Sequence, residues 1–210
     1  MTETDFERAT RESYDAVAAE YAAHFWSELA GKPLDRAMLA AFAELVRGPV
    51  ADVGCGPGRT TAHLRDLGAD VFGLDLSPGM VEVARTAYPD LRFATGSMLR
   101  LPVADGALGG LLANYSIIHV PPEHLPAVFA EFRRVLAPGG RALLVFQVGD
   151  EPLHIGEAFG RSIALDFHRN RPDRIAELLA GAGLPVQARM LREADPDTER
   201  GPQAYLLAGG

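Results

Sequence analysis

Apolar positions along the chain change their period near residue 48. Before that point they recur at helical spacing, and one stripe is formed by Tyr14, Ala18, Tyr21, Phe25 and Leu29. This stripe predicts a helix over about the first 30 residues. A break at residues 31–33 separates it from a second amphipathic segment, which predicts a helix over residues 34–47.

From residue 48 onward, short continuous apolar runs alternate with helical stretches. The runs predicted as strands are residues 50–53, 70–74, 91–94, 108–113 and 141–148. Between them lie helix start signals, the clearest at Ser77-Pro78, where a capping serine precedes a proline at the first helical position. Continuous apolar strands that alternate with helices indicate a parallel sheet covered on both faces.

The last third of the chain follows a different pattern. Residues 172–181 are predicted as a helix, and residues 184–191 and 203–207 as strands. The polar connection between these strands is too irregular for the crossover helix that parallel neighbours need, which indicates an antiparallel hairpin. Residues 149–171 have no clean period and are predicted as a loop or short helix, a possible lid.

The pattern as a whole predicts one α/β domain of the Rossmann-like, doubly wound class, with a seven-stranded, mostly parallel sheet and a C-terminal antiparallel hairpin. Its expected parts are an N-terminal helical cap (1–47), a ligand-binding core (48–148), the possible lid (149–171) and a C-terminal helix and hairpin (172–210). A chain of 210 residues, 48% hydrophobic and 23% charged, is typical of one globular domain.

Charge and cysteine content narrow the class of partner. The net charge of −8 and the scattered basic residues disfavour a nucleic-acid substrate, since nonspecific binding needs a basic face. The apolar run at residues 106–120 is too short and too polar to span a bilayer, and residues 1–11 carry no apolar signal core. A cytoplasmic protein without a membrane partner is therefore expected. Cys55 is the only cysteine, which leaves no disulfide and no cysteine-built zinc site.

A glycine-rich turn follows the first predicted strand. Gly54, Gly56 and Gly58 allow close approach of a ligand to the backbone, and Asp75 ends the next strand 21 residues beyond Gly54. A carboxylate at that place can accept hydrogen bonds from ribose hydroxyls, and the alternative is a structural role before Ser77. The nicotinamide fingerprint would need a glycine where Arg59 stands, which weakens the interpretation as an NAD-dependent oxidoreductase.

Four ordered segments resemble the class I S-adenosylmethionine (SAM)-dependent methyltransferases. They are residues 52–58 (DVGCGPG), 73–80 (GLDLSPGM), 96–102 (GSMLRLP) and 131–140 (EFRRVLAPGG). The resemblance, close over about residues 45–148, implies SAM as cofactor, S-adenosylhomocysteine (SAH) as product, and a small-molecule acceptor methylated on oxygen or nitrogen. The protein is then expected as a monomer or a homodimer. A noncatalytic SAM-binding subunit is the alternative.

The resemblance also implies roles for single residues. The implied cofactor-binding residues are Tyr21, Asp52, Gly54, Cys55, Gly56, Asp75, Leu76, Met80, Ser97, Met98, Asn114 and Tyr115. Asp75 is expected at the ribose, Met80 and Ser97 at the adenine, and Asn114 near the sulfonium. Many family members carry an acidic residue at the position of Ser97, and a serine accepts a hydrogen bond from the adenine amino group more weakly.

His119 is the candidate catalytic residue. It follows Asn114 by five residues, and an alcohol or phenol acceptor needs a base whose pKa lies near the working pH. The alternatives are a histidine that packs under the next helix or bonds a backbone carbonyl. Tyr14 and Tyr21 share a helical face, where they either pack in the core or close over the cofactor, with Tyr21 the better candidate. No metal site is expected, because no three suitable ligands are grouped.

Overall fold

The computed structural model describes residues 3–196 and 198–210. The helices are α1 (Asp5–Phe25), α2 (Pro33–Leu45), α3 (Arg59–Asp66), α4 (Pro78–Ala87), α5 (Leu125–Val135) and α6 (Pro172–Gly181). The strands are β1 (Val50–Val53), β2 (Val71–Asp75), β3 (Arg92–Thr95), β4 (Leu108–Asn114), β5 (Leu136–Gln147), β6 (Leu153–Ala158), β7 (Arg161–Phe167), β8 (Val186–Arg192) and β9 (Gln203–Gly209). Among the described residues, no helix is long and apolar enough to cross a membrane.

Seven strands form the central sheet, in the order β3-β2-β1-β4-β5-β9-β8. The first five are parallel, while β9 pairs antiparallel with both β5 and β8. The predicted sheet and C-terminal hairpin are thus confirmed. The strand order reverses between β1 and β4, which opens a crevice at the carboxyl ends of these strands.

Both faces of the sheet are covered, which explains the continuous apolar strands. Phe129 and Phe132 of α5 pack on one face and Leu39 and Phe42 of α2 on the other, all with at most 2% of their surface exposed. Burying a side chain of this size contributes about 1.5–3 kcal/mol. These helices therefore fix the sheet between two apolar layers.

The prediction for residues 149–171 is wrong in part. Instead of a loop or short helix, β6 and β7 form a separate antiparallel hairpin. In β7, the buried Ile163 and Leu165 alternate with the exposed Ser162 and Ala164, and they contact Val17 of α1 rather than another sheet. The alternation spans only a few residues and includes an exposed alanine, so it is weak in the sequence.

Two predicted boundaries differ from the structure by five residues. The first helix ends at Phe25, and a 3-10 turn at Glu28–Gly31 follows it. Strand β5 begins at Leu136, five residues before the predicted start, because Leu136 already pairs with Leu108 of β4 ahead of an irregularity in the register.

Helix α1 lies across the carboxyl edge of the sheet and is held at two places. The carboxylate of Asp15 accepts hydrogen bonds from the hydroxyl of Ser77 and, at 2.9 Å, from the backbone N–H of Gly79, which ties α1 to the start of α4. The Ser13 hydroxyl accepts a hydrogen bond from the N–H of Ala164 in β7 at 2.9 Å. These contacts close one side of the crevice.

Candidate functional site

A cavity of about 960 Å³ lies at the carboxyl edge of the sheet, between the strand ends, α1 and the β6–β7 hairpin. This volume is at the upper end of the range for small-molecule sites. The structure brings all thirteen candidate residues to its walls: Tyr21, Asp52, Gly54, Cys55, Gly56, Asp75, Leu76, Met80, Ser97, Met98, Asn114, Tyr115 and His119.

The glycines of the turn after β1 serve different purposes. Gly54 and Gly56 both have positive φ, at 75° and 53°. A Cβ at Gly54 would lie 2.3 Å from the Cβ of Ser116, so this glycine is required by packing. A Cβ at Gly56 would meet no atom within 4 Å, and Gly56 lines the cavity. The absence of a side chain at Gly56 thus leaves space that a ligand can use.

Asp75 at the end of β2 braces this turn. Its Oδ2 accepts a hydrogen bond from the N–H of Gly56 at 2.7 Å, and its Oδ1 accepts one from the N–H of Ser77 at 2.8 Å. Burial raises the pKa of Asp75 to about 6, although these hydrogen bonds lower it. The structural role before Ser77 is therefore present, and each oxygen keeps a lone pair for a ligand hydroxyl.

Asp52 and Cys55 lie under the turn. The Asp52 Oδ2 accepts a hydrogen bond from the Thr61 hydroxyl at 2.7 Å, which joins β1 to α3, while Oδ1 has no partner among the described residues. Burial raises the pKa of Asp52 to about 7. Burial also raises the pKa of the Cys55 thiol, so that this side chain is neutral and unsuited to nucleophilic attack.

Arg59 stands at the position where a dinucleotide-binding turn would have its third glycine, and it has a structural role there. Its guanidinium donates hydrogen bonds to the carbonyl of Phe25 and, at 3.2 Å, to the carboxylate of Glu28. The arginine therefore connects the start of α3 to the end of α1, and a glycine there could not do so.

One end of the cavity is lined by Met80, Met98 and Ser97. The Ser97 hydroxyl donates a hydrogen bond to the carboxylate of Glu7 in α1 and accepts one from the N–H of Leu99 at 3.1 Å. Sequence reasoning missed Glu7, which is only 7% exposed. Because Glu7 and Ser97 are 90 residues apart, no local pattern connects them.

His119 and Tyr14 form a hydrogen-bonded pair at the cavity wall. The Nδ1 of His119 lies 3.0 Å from the backbone oxygen of Asp166, and Nε2 lies 2.8 Å from the Tyr14 hydroxyl. Since a carbonyl oxygen only accepts, Nδ1 carries the proton of the neutral ring, and Nε2 accepts from Tyr14. Burial lowers the pKa of His119 to about 4 and raises the pKa of Tyr14. Both groups are therefore neutral at pH 7.

Tyr21 packs edge-on against Tyr14, with ring centroids 5.6 Å apart, and both tyrosines line the cavity. The two roles considered for them, core packing and site wall, are thus combined. Sequence reasoning favoured Tyr21, but Tyr14 is the tyrosine that bonds His119. The only sequence signal for Tyr14 was that it shares a helical face with Tyr21.

The opposite end of the cavity lies at the ends of β4 and β5. The Nδ2 of Asn114 is 3.4 Å from the Thr60 hydroxyl, and Tyr115 has a φ of 53°, a conformation that costs a non-glycine residue about 1–3 kcal/mol. The backbone places the Tyr115 hydroxyl 3.5 Å from Asp35. Strained residues of this kind cluster at functional sites.

Further polar residues lie at this end of the cavity, and sequence reasoning missed Lys32, Glu199 and Gln203. Gln147 and Gln203 are paired in register across β5 and β9 and line the cavity beside Lys32 and Glu199. Glu199 forms ion pairs with Arg192 at 2.6 Å and with Lys32 at 3.4 Å. Lys32, Gln147 and the stretch 199–203 are far apart in the sequence, so that only the tertiary structure brings them together.

Comparison with known proteins finds a methyltransferase domain over part of the chain. Residues 50–140 match the family model described as a methyltransferase domain. The chain is 38% identical over 95 residues to the demethylmenaquinone methyltransferase of Beutenbergia cavernae, covering 45% of this chain and 39% of that protein. It is 37% identical over 134 residues to the trans-aconitate 2-methyltransferase of Escherichia coli O157:H7, covering 63% and 50%. The matched segments span half or less of these relatives.

Similarity to solved structures extends over nearly the whole chain. The Burkholderia thailandensis 1,6-didemethyltoxoflavin-N1-methyltransferase, solved with 1,6-didemethyltoxoflavin and SAH, superposes with a TM-score of 0.74 at 20% identity, covering 99% of this chain and 90% of that chain. This likeness concerns the fold alone. The glycine turn and Asp75 lie within residues 50–140, the part of the chain that matches the methyltransferase domain model.

Proposed function

We propose that the protein transfers the methyl group of SAM to an oxygen or nitrogen atom of a small-molecule acceptor. The observation that carries this proposal is a single cavity that runs from Gly56 and Asp75 to Tyr14 and His119. SAM supplies an electrophilic methyl group on a positively charged sulfur. A cavity that holds both molecules in line accelerates such a transfer by positioning alone.

The first part of the cavity fits the cofactor. Asp75 accepts hydrogen bonds from the ribose hydroxyls, and the open space at Gly56 admits the methionyl part. Met80 and Met98 enclose the adenine, and Ser97 lies at its edge. Glu7, which bonds Ser97, supplies the carboxylate that many relatives carry at the Ser97 position itself. The adenine amino group is thus met by a carboxylate from α1 rather than from the loop after β3.

The second part of the cavity fits the acceptor. An acceptor hydroxyl can pass its proton to the Tyr14 oxygen while Tyr14 passes its own proton to Nε2 of His119. The carbonyl of Asp166 holds the ring in the tautomer that this transfer requires. A pKa of about 4 makes His119 a weak base, so we expect a contribution near the lower end of the ~10²–10⁴-fold range of general-base catalysis. An amine acceptor needs only the hydrogen bond to Tyr14.

The names of the relatives support a small acceptor. Demethylmenaquinone, trans-aconitate and 1,6-didemethyltoxoflavin are small molecules, and the proteins named after them are methyltransferases. The alternative is a noncatalytic subunit that binds SAM for a partner. It differs in one measurable respect, because it binds SAH but transfers no methyl group by itself.

Calorimetric titration with SAH, with NAD in parallel, tests the proposal. Thermal unfolding gives a second measurement. SAH at 100 times its dissociation constant stabilises a protein by about 2.7 kcal/mol, which raises the melting temperature of a chain of this size by about 5–11 °C. Gly56→Ala is expected to lower SAH affinity at least tenfold, because its Cβ enters the cavity. Gly68→Ala is the matched control: Gly68 also has positive φ, a Cβ added there would meet no atom within 4 Å, and it lies outside the site.

A protein that binds NAD and not SAH would overturn the proposal. Binding of SAH without transfer of labelled methyl to any acceptor in a screen would favour the noncatalytic subunit. Equal SAH affinity in the two glycine variants would show that the turn does not contact the cofactor.

A further inference from the structure

A second, smaller cavity of about 230 Å³ adjoins the site and is called the side pocket below. Four residues line both cavities: Gln147, Ile155, Phe167 and Thr198. The other residues of the side pocket are Leu153, Arg169, Arg200 and Gly201. It therefore adjoins the acceptor end of the main cavity, and no proposed cofactor-binding residue lines it.

The side pocket contains two arginines without partners. Within the described part of the chain, every arginine side chain forms a hydrogen bond or an ion pair except those of Arg100, Arg169 and Arg200. Two of these three line this one small pocket. Arg169 is partly buried, with its aliphatic stem close to Gly149, whereas Arg200 is exposed.

The remaining polar groups of the side pocket can also donate hydrogen bonds. The Thr198 hydroxyl and the Gln147 amide bond no other residue in the described ranges, and no aspartate or glutamate lines the pocket. Arginine side chains bind carboxylates and phosphates through a planar fork of N–H donors. A pocket with two free guanidinium groups and no acid is suited to an oxyanion.

The charges around the side pocket increase this preference. The protein has a net charge of −8, so the electric field of the whole molecule disfavours the approach of an anion. At the same end of the main cavity, Glu199 is compensated by Arg192 and Lys32, and Asp35 lies 3.9 Å from Arg192. Asp195 also lines the main cavity but not the side pocket. Among the described residues that line the two cavities, the cations without a partner are thus Arg169 and Arg200.

We propose that the side pocket binds an oxyanion group, a carboxylate or a phosphate, carried by the acceptor at the end remote from the methylated atom. This inference rests on the proposed function. Phe167 connects the two ends, because its ring contacts His119 at a centroid distance of 4.8 Å and also lines the side pocket. Ile155 and Phe167 provide an apolar wall between them. The acceptor is then an anion with an apolar middle.

The test uses matched ligands on the protein saturated with SAH. The probes are 3-phenylpropanoate, its neutral amide 3-phenylpropanamide, and phenyl phosphate, with binding followed by NMR of the Gln147 side-chain amide. We expect at least one of the two anions to bind at least tenfold more tightly than the amide. The preference should decrease as salt rises from 50 to 500 mM, because it arises from charge. The stronger of the two anions identifies the class of oxyanion.

Variants assign the preference to the two arginines. In Arg169→Met/Arg200→Met, which keeps the apolar stems, the anion should bind within about twofold of the amide. Arg100→Met is the matched control, since Arg100 is equally unpaired but lines neither cavity, and it should keep the full preference. Arg169→Gln and Arg200→Gln provide a second set if the methionine variant is poorly folded.

Equal binding of anion and amide, an anion preference that survives loss of both arginines, or no shift of the Gln147 amide with any probe would overturn the inference. Its failure is distinguishable from failure of the proposed function. If SAH does not bind, the same titration is made on the protein without SAH, and an anion preference there means that only the proposed methyl transfer fails. If SAH binds and no anion is preferred, only the side-pocket inference fails.

Discussion

At the scale of single residues, the pairing of Tyr14 with His119 changes the expected role of the histidine. Sequence reasoning considered His119 as a base, or as a histidine that packs under the next helix or bonds a backbone carbonyl. The structure combines the last of these with a place at the cavity wall, because Nδ1 is bonded to Asp166 while Nε2 faces Tyr14. The hydroxyl of Tyr14 is thus the group that His119 bonds at the cavity wall.

Replacing Tyr14 by phenylalanine should separate catalysis from binding. Tyr14→Phe keeps the ring packed against Tyr21 but removes the hydroxyl that bonds His119, so we expect single-turnover methyl transfer to slow at least ~10-fold. SAH affinity should stay within about twofold. Tyr88→Phe is the control, because Tyr88 stacks on the exposed Trp26 away from the cavity. An unchanged rate in Tyr14→Phe would exclude the relay through this hydroxyl.

At the scale of elements, the strand ends form one wall of the cavity, and α1 and the β6–β7 hairpin form the others. Asp15 fixes α1 to the start of α4, and Ser13 fixes it to β7. Neither contact could be predicted, since each joins segments more than 60 residues apart. The helices and strands of the core were predictable because their apolar period is strong over several turns or a whole buried strand. The hairpin was missed because its apolar face is short and meets a helix.

Loss of the Asp15 carboxylate should loosen α1 without unfolding the sheet. In Asp15→Ala the N–H of Gly79 and the hydroxyl of Ser77 lose their acceptor, and we expect amide hydrogen exchange in α1 to become at least ~10-fold faster while exchange in β4 is unchanged. Asp66→Ala, at an exposed ion pair with Arg65, serves as control. Faster exchange in β4 by the same factor would mean that Asp15 stabilises the whole fold and not the docking of α1.

At the scale of the whole molecule, buried ionisable groups make stability depend on pH. Burial raises the pKa of Asp52 from 3.8 to about 7 and that of Asp75 from 3.8 to about 6. The folded state therefore binds more protons than the unfolded state between these values, and stability falls as pH rises from about 4 to 7. His119 acts in the opposite sense, because its pKa falls from 6.5 to about 4 and its contribution rises over that window.

Asp52→Asn isolates one of these contributions. The variant keeps an acceptor for the Thr61 hydroxyl and removes the buried charge, so its free energy of unfolding relative to the wild type should increase from pH 4 to pH 7. The increase is expected to be as large as about 4 kcal/mol, from about 1.4 kcal/mol per pKa unit. Urea unfolding at several pH values measures it. A difference that stays constant with pH would show that Asp52 titrates as in the unfolded chain.

The sequence by itself determined the doubly wound sheet, its C-terminal hairpin and the cofactor-side motifs around Gly56 and Asp75. Period, turn glycines and capping residues act over a few neighbouring positions, so these features can be recognised locally. Only the tertiary structure decided which residues meet around the rest of the cavity. Glu7 meets Ser97, Tyr14 meets His119, and Arg169 comes beside Arg200 across long stretches of chain. Such contacts depend on how elements pack against one another, and no local pattern encodes them.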